Sequence, residues 1–117
     1  MRISDQIREI ENAVRQYAFV RRVARVDETY YSIKYHLHIA PELFVQLYFN
    51  ERSGTVGMVL VHRRQRIYGR DCEASRWHRH PVNDPTIHDI SPEGAQSVSV
   101  KEFLAEVQDI LVNANLI

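Results

Sequence analysis

The chain has 117 residues, 44% hydrophobic and 26% charged, and its 15 basic and 15 acidic side chains cancel. That length and balance predict a soluble globular protein of one domain, 1–117, with a core that needs no covalent staples. The single cysteine excludes an internal disulfide framework and a four-cysteine zinc site. No apolar run approaches the roughly 20 residues of a membrane span, and the polar start Met1-Arg2-Ile3-Ser4-Asp5 is unlike a signal peptide, so no membrane association and a cytoplasmic location are expected.

Ile3, Ile7, Ile10, Val14 and Tyr17 recur at steps of four and three, one stripe of an amphipathic helix. Ser4 or Asp5 is suited to cap it, and it should end near Ala18. Four or five strands are expected next. Phe19 to Val26 is the first; Thr29 to Ala40 alternates cleanly, with Tyr31, Ile33, Tyr35, Leu37 and Ile39 on one face and Lys34, His36 and His38 on the other. Leu43 to Asn50 is apolar on nearly both sides, as a central strand is. Asn50 to Gly54 reads as a hairpin turn. Thr55 to His62 and Arg64 to Arg70 are the last strands, and the short connections imply an antiparallel meander.

Glu73 to Ser97 holds three of the four prolines and little apolar periodicity, so it reads as a long loop, and loops of that length are commonly functional. Ser99-Val100-Lys101-Glu102 forms a capping box. Phe103, Leu104, Val107, Ile110 and Leu111 then give a closing amphipathic helix. The expected class is α+β: an N-terminal helix, an antiparallel sheet of four to five strands, a long His/Pro loop and a C-terminal helix, both helices on one sheet face.

Charge is unevenly spread. Residues 62–80 carry +4 and residues 81–117 carry −5. The basic stretch also contains Trp77-His78-Arg79-His80-Pro81, with His88 close behind. Two imidazoles at i, i+2 of extended backbone point the same way, roughly 7 Å apart at Cα, which suits shared work on one ligand. They could move protons on a phosphodiester or hold a divalent metal with His88 or Asp71; the familiar zinc spacings are absent. Arg64, Arg66, Arg70, Arg76 and Arg79 interleave with Tyr68 and Trp77, offering forked donors for phosphate and rings for bases. Arg66, Tyr68 and Arg70 alternate, so they are expected to share one face of a strand. The same arginines also suit a guarded edge strand. Trp77 suits a loop anchor as well as a stacking platform. Asp71 is placed to pair with an arginine or to orient an imidazole. His36 and His38 belong to the core if a helix covers their face and to a groove if it is open. His62 closes its strand. Cys72 reads as a buried thiol rather than a nucleophile.

The run Tyr68-Gly69-Arg70-Asp71, then Trp77-His78-Arg79-His80-Pro81, then His88, resembles the TumE-like toxin family. Its members are small prokaryotic proteins with a tyrosine and an aspartate at a strand end, a His/Pro-rich loop and often a final helix. The resemblance is strongest over residues 44–88. The family's usual paired His-His runs are here His-x-His and a lone His88. The resemblance implies a growth-inhibiting toxin that acts on RNA and binds a cognate antitoxin protein.

The leading expectation is thus a small ribonuclease of a toxin–antitoxin pair. His78, His80, His88, Asp71 and Tyr68 are its candidate catalytic residues, and Arg64, Arg66, Arg70, Arg76, Arg79 and Trp77 its candidate RNA contacts. It would need no cofactor unless a divalent metal takes part. The alternatives are a non-catalytic module, a homodimer that binds nucleic acid or an acidic protein, and a metal-dependent hydrolase.

Overall fold

The computed structural model describes residues 1–117. The apolar stripe of the first segment forms α1 (Ile3–Val14), which buries Ile10 and Ala13. The helix stops short of Ala18 because the amides of Gln16 and Tyr17 donate to the carbonyls of Ala13 and Val14, a tight turn that drops Phe19 into the core. Neither Ser4 nor Asp5 caps it: Arg2 precedes the first turn without a side-chain cap, and the Ile3 amide donates to Glu51 Oε2 at 3.2 Å.

Six strands follow: β1 (Arg22–Glu28), β2 (Ser32–Ala40), β3 (Leu43–Asn50), β4 (Val56–His62), β5 (Gln65–Glu73) and β6 (Arg76–His80). They pair antiparallel in chain order, as short connections demand. The chain closes with α2 (Val100–Asn113). Its capping box is complete, with Ser99 Oγ accepting from the Glu102 amide and the Glu102 carboxylate accepting from the Ser99 amide. Glu9 of α1 accepts from the Val100 amide at 2.7 Å, so one helix satisfies a free donor at the start of the other.

Period-two alternation splits the sheet into two faces. Ile33, Tyr35, Leu37 and Ile39 of β2, Leu43, Val45, Leu47 and Phe49 of β3, and Met58 and Leu60 of β4 point inward. There they meet Ile10, Ala13, Phe103, Leu104, Val107 and Leu111 of the helices in one continuous core. No helix covers the other face. Cross-strand register lays three rows across it: Arg22–His38–Phe44–Val61–Arg66, then Ala24–His36–Gln46–Val59–Gly69–His80, then Asp27–Lys34–Tyr48–Gly57–Asp71–His78.

Two features depart from the expected layout, and both shape the site. The sheet has six strands because the first eight residues of the expected long loop hold the end of β5, a two-residue turn and β6. The turn residues Ala74 and Ser75 both have positive φ, 50° and 62°, the backbone of a tight hairpin turn. Neither is glycine or asparagine, so nothing in the residue types announces a hairpin. The second feature is a bulge in β5. Leu60 faces Tyr68 while Val61 faces Arg66, leaving Ile67 as the extra residue. The bulge breaks the expected alternation, so Arg66 lies on the open face while Tyr68 and Arg70 turn toward the helices.

The Ala74–Ser75 turn can be tested by sign. Left-handed backbone costs a non-glycine residue roughly 1–2 kcal/mol, so Ser75→Gly should stabilise the protein by about 1 kcal/mol in denaturant unfolding. Were these residues in extended loop, the same change would destabilise it, since glycine loses more backbone freedom on folding.

Candidate functional site

The β5–β6 register puts Asp71 opposite His78 and Gly69 opposite His80, and all four face away from the helices. His88 joins them from the connection after β6, which doubles back so that Asp89 pairs with Arg79 in a short antiparallel bridge. The Arg79 amide donates to the Asp89 carbonyl at 3.0 Å, and the reverse bond is 2.8 Å. The three imidazole rings then meet pairwise with centroids 4.9 Å apart. One nitrogen from each lies within 4.8 Å of the other two. His78 Nε2 and His80 Nε2 are 3.1 Å apart. Asp71 Oδ2 stands 3.1 Å from His80 Nε2 and 3.5 Å from His78 Nε2.

His80 is buried and the most tightly fixed of the three. Its Nδ1 lies 2.9 Å from the Pro85 carbonyl, an acceptor only, so Nδ1 donates and Nε2 of the neutral ring presents a lone pair to the cluster. Burial pushes the imidazole below its ordinary value, against the opposing pull of the Pro85 carbonyl. Gly69 sits against β4: a Cβ there would lie a tight 3.2 Å from the Met58 carbonyl oxygen and in ordinary contact, 3.6 Å, with His80 Cδ2.

Beside Asp71 the open face sinks into a shallow depression of about 320 Å³, lined by Lys34, Gln46, Tyr48, Gly57, Arg66 and Asp71 among others. Arg66 reaches Asp71 Oδ2 at 3.8 Å. Farther along the same face, Phe44 lies against His36 with ring centroids 4.4 Å apart, and His36 Nε2 is 3.0 Å from Gln46 Oε1. His36 and His38 thus belong to an open surface rather than a core. A second hollow at its far corner is lined by Arg21, Arg22 and His38. Lys34, Gln46, Tyr48 and Gly57 escaped sequence reasoning. The signal was there in part: a glycine inside a strand often marks a close approach, and Lys34 alternates with His36 and His38.

The other expected site residues sit elsewhere. Tyr68 and Arg70 are buried on the helix side. Tyr68 stacks on Phe103 and donates to Glu106 at 2.7 Å. Burial, and then that carboxylate, push its hydroxyl up to about 12. Arg70 forks onto both oxygens of Glu106 at 3.1 and 2.6 Å and donates to the Glu93 carbonyl at 2.7 Å. Arg79 donates to Asp89 Oδ2 at 2.9 and 2.6 Å. These two arginines are spent on fastening residues 89–94, which hold His88 in place. Arg64 lies exposed in the β4–β5 turn, and Arg76 opens β6 on the same face as His78 and His80, exposed and without an ion pair. His62 closes β4 beside that turn. Trp77 packs against the core from the helix side, and Cys72 is a buried thiol whose pKa burial raises. Of the expected phosphate-binding arginines, Arg66 alone makes an ion pair with the cluster, through Asp71.

The anchor of His88 makes its own prediction. Hydrogen bonds from Ser91 and then Arg79 hold the Asp89 carboxyl down to about 2. Its contribution is therefore complete above the ordinary aspartate value near 4 and lost as pH falls through about 2. A carboxyl-carbon NMR titration should find that low midpoint. A Cβ at Gly94 would overlap the Asp89 carbonyl oxygen. Gly94→Ala should therefore cost about 2 kcal/mol and shift the ring resonances of His88.

Comparison with protein-family models, with curated proteins and with solved structures finds no match to this chain.

Proposed function

We propose that this chain is a small ribonuclease that cuts single-stranded RNA at the centre formed by His78, His80, His88 and Asp71. The observation that carries the reading is the convergence of three imidazoles and one carboxylate beside a depression rimmed by Arg66 and Lys34. Cleaving a phosphodiester requires a base for the attacking oxygen and cations for the phosphate. Clustered nitrogen and oxygen lone pairs suit the first task, and Arg66 and Lys34 suit the second.

The open sheet face supports RNA as the substrate. Phe44, Tyr48, His36 and His38 offer rings for unpaired bases, and Arg22, Lys34 and Arg66 lie among them along the three rows. A sheet that carries rings and cations is a recurrent platform for single strands, because every base has a face to stack. In this reading the RNA crosses the rows and presents one phosphate to the histidines. The role as a growth-inhibiting toxin held in check by a cognate antitoxin rests on the resemblance of residues 68–88 to the TumE-like family.

Single-stranded RNA incubated with the purified chain should be cut. His78→Ala and His88→Ala should slow cleavage by about 10²-fold or more. Tyr68→Phe, on the opposite face, should stay within about twofold of wild type while losing about 1 kcal/mol of stability. Full activity in both histidine variants, or no cleavage by the wild-type chain, contradicts the proposal.

A further inference from the structure

Three ring nitrogens and a carboxylate oxygen crowd the centre, and while His80 is neutral one of their close contacts has no proton between its atoms. The proton of the neutral His80 ring is on Nδ1, committed to the Pro85 carbonyl at 2.9 Å. Its Nε2 is therefore an acceptor, 3.1 Å from His78 Nε2 and 3.1 Å from Asp71 Oδ2. A proton on His78 Nε2 can bridge one of these contacts. It leaves the nitrogen of His80 and the oxygen of Asp71 facing each other, lone pair against lone pair. The β5–β6 pairing holds these groups together, so the close approach is built into the fold.

A second proton on His80 or a metal ion satisfies that contact, and the spacing of the whole group fits the metal ion. Nitrogen and oxygen ligands about 2.0–2.1 Å from a tetrahedral Zn²⁺ stand roughly 3.3 Å from one another. The three separations here are 3.1, 3.1 and 3.5 Å, one face of such a tetrahedron. The nitrogen of His88, within 4.8 Å of those of His78 and His80, is placed to close the fourth corner, and its exposed ring can settle by a small rotation. The Pro85 carbonyl supplies the outer hydrogen bond that usually fixes the tautomer of a ligating histidine. Three imidazoles and one carboxylate favour zinc-class ions over Mg²⁺ and Ca²⁺, which prefer oxygen shells.

We propose that His78 Nε2, His80 Nε2, Asp71 Oδ2 and an imidazole nitrogen of His88 bind one divalent cation of the zinc class. Binding stands on this geometry alone; its catalytic meaning rests on the ribonuclease reading, which it deepens: with the exposed His88 ring giving up its corner, or the ion taking a fifth ligand, the cation would activate the attacking oxygen. Arg66, 3.8 Å from the same carboxylate oxygen, opposes the ion and must swing into solvent when it binds.

The test is calorimetric titration of the chelator-treated full chain with Zn²⁺ at mildly alkaline pH, with Co²⁺ absorption as a check on geometry. One equivalent should bind at micromolar dissociation constant or tighter, with the intense visible bands of a four-coordinate cobalt site, and Mg²⁺ should not compete. Saturation at about a hundred times the dissociation constant should raise Tm by about 10 °C. Asp71→Asn and His88→Ala should each weaken binding by at least about 10-fold while keeping the wild-type circular dichroism; His88 is exposed, so that variant tests the site without threatening the fold. Arg66→Met should tighten binding several-fold. A wild-type chain that takes up only traces of zinc, or variants that bind as wild type does, would overturn the proposal. Zinc uptake without RNA cleavage would leave the metal site standing and sink the ribonuclease reading. Undiminished cleavage by a chain that takes up no zinc would do the reverse.

Discussion

The register between β5 and β6 is the constraint on which the site depends. Side chains alternate with period two, so the pairing that sets Asp71 opposite His78 sends both to the open face and sends Cys72 and Trp77 to the core. A slip of one residue would bury the histidines under α2 and push Arg79 and Trp77 into solvent on the far side. Several contacts resist that slip: Arg70 forks onto Glu106 from inside, and Trp77 and Cys72 pack against the core. The turn at Ala74 and Ser75 fixes the loop length between the strands.

The same alternation divides the arginines between two jobs. Arg70 and Arg79 face the helix side and hold residues 89–94 through Glu93, Gly94 and Asp89. They act on His88 at one remove, by fixing the backbone beside it. The β5 bulge at Ile67 rotates Arg66 onto the other face, where it meets Asp71 and the depression. A single inserted residue thus separates a structural guanidinium from one that faces solvent beside the histidines. The cluster gathers its members from three places, β5, β6 and the returning connection, and each is held by contacts on the helix side.

Much of this architecture was legible in the sequence, for physical reasons that differ by element. The Ile3–Tyr17 stripe, the alternation of Ile33 to Ile39 and the Ser99–Glu102 capping box are local patterns with strong burial behind them, and each became the expected element. β6 was illegible because its residues are Arg, Trp, His, Arg and His, with no apolar alternation, and because its turn lacks the glycine or asparagine that usually signals one. The bulge was hidden because Ile67 reads as an ordinary strand residue. The i, i+2 spacing of His78 and His80 correctly put them on one side. Their meeting with Asp71 depends on cross-strand register, and that of His88 on the Arg79–Asp89 bridge, neither of which is a local property.

The most direct measurement of the convergence is imidazole NMR on the ¹⁵N-labelled, metal-free chain at mildly alkaline pH. His80 should appear as the Nδ1–H tautomer with a slowly exchanging proton, and ring protons of His78, His80 and His88 should show mutual nuclear Overhauser effects. Rings that average freely between tautomers, with no effects linking the three, would contradict the shared centre and the β5–β6 register that creates it.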